Sequence, residues 1–188
     1  MTIARTALKA ALAAAALLYP FWMWWTLEHW GLAPAAGLLA LLAALRAASD
    51  RTRRTIIPAV LAAALALAAL FWQAEAPLAL YPVLMNAFFL WLFASSLAGT
   101  PAVEALARLK EKNLPPEAVR WCRGVTQVWC AFFIINGSIA LATVLIGDRD
   151  LWLAWNGFGS YIAMGALFAG EWLLRQRMQR RTKCRNQR

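Results

Sequence analysis

The stretch VTQVWCAFFIINGSIALATVLIG, residues 125–147, decides the fold, because its 23 consecutive positions carry no charged side chain. An α-helix needs about 20 mainly apolar residues to cross the hydrocarbon of a bilayer. The segment therefore predicts a transmembrane helix. Five further apolar stretches share this character, so the sequence predicts an all-α polytopic membrane protein with six spans, at about 8–27, 32–48, 56–73, 78–98, 125–147 and 152–174.

The composition supports the same class without any argument from topology. The chain has 188 residues, of which 62% are apolar and 15% charged. A soluble chain of that length requires more polar surface. The second and third apolar stretches are short and rich in Ala, but charge parity retains them as spans. Without them, the basic cluster at 51–54 would lie on the same side as Glu28 and Glu75.

The distribution of Lys and Arg predicts the orientation. One side of the six-span arrangement holds 18 basic and 5 acidic residues, and the other holds 1 and 4. The basic groups on the first side are Arg5 and Lys9; Arg46, Arg51, Arg53 and Arg54; Arg108, Lys110, Lys112, Arg120 and Arg123; and Arg175, Arg177, Arg180, Arg181, Lys183, Arg185 and Arg188. Basic residues remain cytoplasmic, so both termini are predicted inside.

The net charge of +10 is explained by the same pattern. Positive side chains beside span ends set orientation and meet anionic lipid headgroups, so no nucleic-acid partner is required.

The N-terminus has the basic start of a secretory signal, but its apolar run exceeds the usual 7 to 15 residues. Retention as a full span is the preferred interpretation. Seven of the eleven Trp residues fall on the outer side, as an aromatic belt or as an outward-facing groove for a flat hydrophobic ligand.

The cytoplasmic segment 99–124 is the longest one between spans, and 175–188 forms a basic cytoplasmic tail. On a helical wheel four charged residues of the loop share one arc: Glu104, Arg108, Glu111 and Lys112. Val103, Leu106 and Ala107 share another arc, which predicts a short amphipathic helix on the inner leaflet. The charged arc is either a solvated face or a docking site for cytosolic enzymes.

Residues that carry out chemistry are scarce in this sequence. His29 is the only histidine, and no second metal ligand stands at a useful spacing from it. The three cysteines form no CxxC pair, and there is no glycine-rich phosphate loop. No catalytic residue, metal site or cofactor is predicted.

Neutral polar residues inside the spans are more informative. Four of them are predicted as a candidate ligand site: Asn86, Asn136, Asn156 and Ser160. Their depths partly coincide at 1.5 Å per residue, so they are expected to form one polar cluster, as interhelical hydrogen bonds or as a ligand site. Glu171 is the acid within the sixth span. It is expected either to pair with Arg175 or to act as a proton-coupled or substrate-binding carboxylate.

Several strings of the second half resemble a known family. They are Tyr81-Pro-Val-Leu-Met-Asn86, Leu114-Pro-Pro-Glu117, Val125 to Phe133 with Asn136-Gly137, and Trp155-Asn-Gly157 through Gly170-Glu-Trp-Leu-Leu174. This half is similar to an uncharacterised bacterial inner-membrane family found in gene clusters for aryl polyene, or xanthomonadin-like, pigments. The chain is more distantly similar to the intracellular septation protein A family, through a Trp, Phe-Phe, Gly arrangement in a late span.

The resemblance implies a context rather than a set of catalytic residues. Aryl polyenes are flat, lipid-like chains made by cytosolic fatty-acid-type enzymes and delivered to the envelope. An accessory protein without catalysis is therefore expected, one that scaffolds those enzymes or handles the lipid-like product. Two alternatives remain open, a small lipid-like transporter or flippase and an integral-membrane transferase.

Overall fold

In the computed structural model the described residues are 18–49, 52–109 and 111–186. Within these ranges the chain is helical and contains no strand, which confirms the predicted all-α class. The helices are α1 Tyr19–His29, α2 Leu32–Ser49, α3 Arg53–Trp72, α4 Ala76–Ala79, α5 Tyr81–Ser96, α6 Ala102–Arg108, α7 Pro116–Ile146, α8 Arg149–Leu153, a π-helical segment Ala154–Gly159, and α9 Ser160–Asn186. Residues 8–17 of the first predicted span lie outside the described residues.

Two helices are long and apolar enough to cross a membrane. They are Ala76–Ser96, in which α4 leads into α5, and Pro116–Ile146, which is α7. The apolar parts of α2 and α3, Leu32–Leu45 and Ile56–Trp72, are shorter. α7 has 31 residues, or about 46 Å at 1.5 Å per residue, so it exceeds the hydrocarbon thickness of about 30 Å.

The first core is built from small side chains. α2 and α3 are joined by three residues, and alanines fill the contact between them, with Ala36 and Ala69 fully buried. The other buried residues of these two helices are Ala35, Leu39, Ala43, Ala59, Ala62, Leu65 and Ala66. Buried positions recur every four residues in α2, at 35, 39 and 43, and every three or four in α3, at 59, 62, 66 and 69, so each set lies on one face of its helix. A methyl side chain lets two backbones approach closely. The Ala-rich composition that weakens the hydropathy signal is therefore what packs this helix pair.

The second core is aromatic and lies between α5, α7 and α9. Val125, Trp129 and Phe133 of α7 are buried at spacings of four. Partly buried residues of α5, α6, α7 and α9 pack around them: Leu90, Phe93, Val103, Trp121, Phe132, Met164 and Leu167. Large rings fill this space where alanines fill the first core.

At one end of the bundle a salt bridge joins two connecting segments. Arg149, which follows α7, donates from Nε to Oε2 of Glu75 at 3.0 Å. Its Nη2 donates to Oε1 of the same carboxylate. Glu75 follows α3, so the two loops that the charge pattern assigns to one side meet in space. Arg149, the one basic residue that the charge pattern leaves on the acidic side, is paired there.

At the opposite end the loop after α5 folds back on the bundle. Arg123 donates to the carbonyl oxygen of Leu97 at 2.9 Å, and the amide of Ala102 donates to Oγ of Ser96 at 2.9 Å. Pro101 is buried beside them. These bonds hold the segment between α5 and α7 against the helix ends.

The helix in this loop differs from the amphipathic helix that the sequence predicts. α6 has seven residues and ends at Arg108, so Glu111 and Lys112 lie beyond it. Glu104 is 5% exposed rather than solvated, whereas Leu106 is 62% exposed. The expectation of one charged arc is wrong for Glu104, because α6 packs against α7 through the amide of Val103.

Burial of the Glu104 carboxylate is compensated locally. Arg108 donates from Nε to Oε1 of Glu104 at 2.8 Å, and a second guanidinium nitrogen lies 2.7 Å from the same oxygen. Arg108 also donates to the carbonyl oxygen of Lys112 at 2.9 Å. Because a buried charge is costly unless paired, the i,i+4 partner is what allows Glu104 to face the bundle.

Candidate polar site in the helix bundle

The centre of the candidate site is a contact between two asparagines on neighbouring helices. Asn136 of α7 donates from Nδ2 to Oδ1 of Asn86 on α5 at 3.0 Å. Asn86 in turn donates from Nδ2 to the carbonyl oxygen of Pro82, one turn earlier, at 2.8 Å. The second bond fixes the amide orientation of Asn86, so its oxygen is directed to Asn136.

Gly137 allows this contact to form. A Cβ at this position would stand 3.0 Å from Cβ of Asn86, tighter than nine in ten real Cβ contacts. That Cβ is attached directly to the α5 backbone, so it cannot move away as the tip of a long side chain does. The glycine therefore sets how closely α5 and α7 approach, and that distance sets the hydrogen bond between the asparagines.

Asn136 keeps one polar atom without a protein partner. The residue is 6% exposed, and its Oδ1 accepts no hydrogen bond from any part of the chain that the structure describes. Reversing the amide would place the two asparagine oxygens against each other and lose the 3.0 Å bond. An unsatisfied buried acceptor costs about 1–3 kcal/mol. The site therefore offers a buried acceptor that a donor would stabilise.

A second polar contact joins α7 to the π-helical segment. Asn156 donates from Nδ2 to Oγ1 of Thr143 at 3.2 Å and to the carbonyl oxygen of Trp152 at 3.0 Å. Ser160 donates to the carbonyl oxygen of Asn156 at 3.2 Å. Thr143 follows Asn136 by seven residues, about 10 Å along α7. The residues predicted to form one cluster thus form two hydrogen-bonded groups on the same face of α7.

Two glycines of the π-helical segment allow aromatic rings to approach its backbone closely. A Cβ on Gly159 would lie 2.7 Å from Cε3 of Trp155, so the indole lies directly over the glycine backbone. A Cβ on Gly157 would lie 3.3 Å from the Phe21 ring of α1. Single π turns are frequently found at functional sites. Here the π turn contains Asn156, which donates to Thr143 of α7.

Two hydrogen bonds near Pro82 were not foreseen from the sequence. Proline has no amide hydrogen, so Pro82 leaves the carbonyl oxygen of Leu78 without its helical donor. The hydroxyl of Tyr19 in α1 supplies that donor at 2.9 Å. Nε1 of Trp152 likewise donates to the carbonyl oxygen of Ala79 at 3.1 Å. The proline was the available signal, but its partners became visible only in three dimensions.

Glu171 lies apart from the polar groups. It follows Ser160 by eleven residues, about 16 Å along α9. It is partly buried, and it forms no ion pair with Arg175, although the structure describes both residues. His29 lies at the C-terminus of α1, where Nδ1 stands 2.9 Å from the carbonyl oxygen of Trp25 and the rings stack at 4.9 Å.

The four loop residues predicted to bind a partner lie at the Arg123 end of the bundle. Arg108, Glu111 and Lys112 are exposed, and Glu104 is buried, so they do not present a single helix face. In the described ranges no group of three or more His, Cys, Asp or Glu side chains is placed to hold a metal ion.

No known protein family, curated protein or solved structure matches this chain.

Proposed function

We propose that this chain is a six-span protein of the bacterial inner membrane with both termini in the cytoplasm. Its proposed role is an accessory one in aryl polyene lipid biosynthesis or cell-envelope biogenesis. The segment from Pro101 to Arg123 holds cytosolic fatty-acid-type enzymes at the inner leaflet. The opposite ends of the bundle, one with Glu75 and Arg149 and the other with Arg123, support such a topology.

The observation that carries the scaffold function is an exposed apolar patch on an ordered loop. Leu106 is 62% exposed and Leu109 is 83% exposed. The helix that carries Leu106 is fixed to α7 through the amide of Val103, which donates to Oγ1 of Thr126 at 3.4 Å. Two exposed leucines held in a fixed place beside cationic Arg108 favour a partner with an apolar contact and an acidic rim.

The scaffold function is tested by replacing both leucines with Asn. We expect the double variant to release most of the recruited synthase from the membrane fraction into the soluble fraction, because the apolar contact is lost. Ala105→Asn, an exposed position of the same helix, is the matched control and should leave fractionation unchanged. Equal membrane retention of synthase in the wild type and the double variant would contradict a scaffold.

A second candidate function is transport or flipping of a lipid-like product. It is favoured by Asn136, whose buried oxygen has no donor among the described residues. A strain carrying Asn86→Leu and Asn136→Leu should then make the pigment lipid in normal total amount but retain it in the inner membrane. If a folded double variant exports the lipid normally, the two asparagines only stabilise helix packing, and this function is excluded.

A further inference from the structure

We propose that the bundle binds a flat aromatic or conjugated amphiphile that carries a hydroxyl group. The hydroxyl donates to Oδ1 of Asn136, and the flat body lies along the aromatic rings between α5, α7 and α9. The inference rests on the second candidate function, since it names the chemical class of the molecule handled there. It derives from three features that occur together: an acceptor without a donor, an aromatic cluster, and loose packing of α9.

The aromatic cluster is continuous across three helices. Phe89 of α5 stacks on Phe133 of α7, with centroids 5.6 Å apart and planes at 20°. Phe93 packs against Phe133 in a T-shaped arrangement, with centroids 5.2 Å apart and planes at 75°. Trp129 lies 5.8 Å from Phe133 and 4.6 Å from Phe168 of α9. Phe89 and Phe168 are 40% and 55% exposed, so the cluster reaches the surface at both sides.

The asparagine pair lies at one end of this cluster. Phe89 follows Asn86 by three residues on α5, and Phe133 precedes Asn136 by three residues on α7. Each step is about one helical turn, or 4.5 Å along the axis. Both steps lead toward the end of the bundle that contains Arg123, because Arg123 precedes Phe133 on α7. A linear molecule therefore meets the acceptor with its head and the rings with its body.

Two atoms near the aromatic core lack a hydrogen-bond partner among the described residues: Oδ1 of Asn136, which is an acceptor, and Nε1 of Trp121, which is a donor. Oδ1 of Asn136 selects the head group. Oδ1 of Asn136 only accepts hydrogen bonds, and the neighbouring Oδ1 of Asn86 already accepts one from Asn136. A carboxylate or phosphate would bring further acceptors against these oxygens. A hydroxyl supplies the missing donor without a net charge, which suits a site at membrane depth.

Access is from the side of α9. Among the described side chains of this helix beyond Ser160, at positions 161–176, none is buried. α9 packs on the aromatic core through Met164 and Leu167, both partly buried, and through the ring contact of Phe168. Displacing α9 therefore exposes the rings of α5 and α7 while breaking few buried contacts.

The test uses the full-length protein in phospholipid nanodiscs and 4-dodecylphenol bearing a diazirine in its alkyl chain. After photolysis, cross-linked residues are mapped by peptide mass spectrometry in the presence of unlabelled competitors. We expect cross-links on residues of the aromatic cluster. 4-Dodecylphenol should compete at about tenfold lower concentration than dodecylbenzene, the ratio for roughly 1.4 kcal/mol, because only the phenol donates a hydrogen bond.

Variants show whether Asn136 causes the difference. Asn136→Leu should bring the two competitors within about twofold of each other. Ser138→Leu, which places the same side chain on the exposed face of α7 two residues away, should keep the wild-type ratio. Equal competition by the two compounds on the wild-type protein, or labelling spread over the lipid-facing residues, would overturn the proposal. Equal competition would mean that a water molecule donates the hydrogen bond to Oδ1 of Asn136. This result is independent of the export measurement, so either can fail alone.

Discussion

Gly137→Ala probes the close approach of α5 and α7 directly. The new Cβ would stand 3.0 Å from Cβ of Asn86, so the two backbones must separate by several tenths of an ångström. Overpacking of this kind costs about 1–3 kcal/mol. Separation also lengthens the 3.0 Å bond between the asparagines, which contributes about 0.6 kcal/mol in a membrane bundle. Alanine's higher helix propensity offsets up to about 1 kcal/mol of this cost.

Gly124→Ala is the control for the gain in helix propensity that any glycine-to-alanine change brings. Gly124 lies in the same helix, and a Cβ built there meets nothing within 4 Å. The two variants gain similar helix propensity, so the difference between their free energies of unfolding isolates the clash and the lost bond. We expect Gly137→Ala to be less stable than Gly124→Ala by about 1–3 kcal/mol. The assay is SDS-induced unfolding from mixed micelles followed by circular dichroism. Equal stability of the two variants would refute the close approach.

Three further variants test other contacts. Tyr19→Phe should lower the free energy of unfolding by about 1–2 kcal/mol in the same assay, because the buried carbonyl oxygen of Leu78 loses its donor; no change would mean that another group satisfies it. Gly159→Ala should shift tryptophan emission, since its Cβ would meet the Trp155 ring at 2.7 Å, whereas Gly165→Ala, with nothing within 4 Å, should not. Glu75→Gln should cost less than about 1 kcal/mol, because its pair with Arg149 is half exposed; a larger loss would show that the salt bridge holds the two loops together.

The sequence predicts those features of the fold that depend on local composition. Apolar runs without charges predict helices, and the depth of a polar residue follows from its distance to the span end. For that reason Asn86 and Ser160 are predicted at similar depth and Asn136 somewhat deeper, close enough for one polar cluster. The pairing of Asn156 with Thr143 was missed, because a threonine in an apolar helix often bonds its own backbone.

Other features depend on which helices are neighbours, and no local pattern reports this. A helical wheel placed Glu104 on a solvated arc, but the packing of α6 on α7 turns that side inward and leaves Leu106 outside. The hydroxyl of Tyr19 reaches Leu78 from 59 positions away in the chain. Pro82 showed that a carbonyl oxygen lacks its helical donor, but the identity of the replacement required the tertiary structure.

The central claim is that the two ends of the bundle lie on opposite sides of a membrane, and labelling of single cysteines tests it most directly. In a variant with Cys122, Cys130 and Cys184 replaced by Ala, one cysteine is introduced at Gln73 or at Asn113. Both side chains are exposed, so a membrane-impermeant maleimide can react with a cysteine at either position when it is present on that side of the membrane. The account predicts labelling of Gln73→Cys in intact spheroplasts and labelling of Asn113→Cys only after permeabilisation. Equal labelling of both cysteines in intact spheroplasts, or the reverse order, would contradict it.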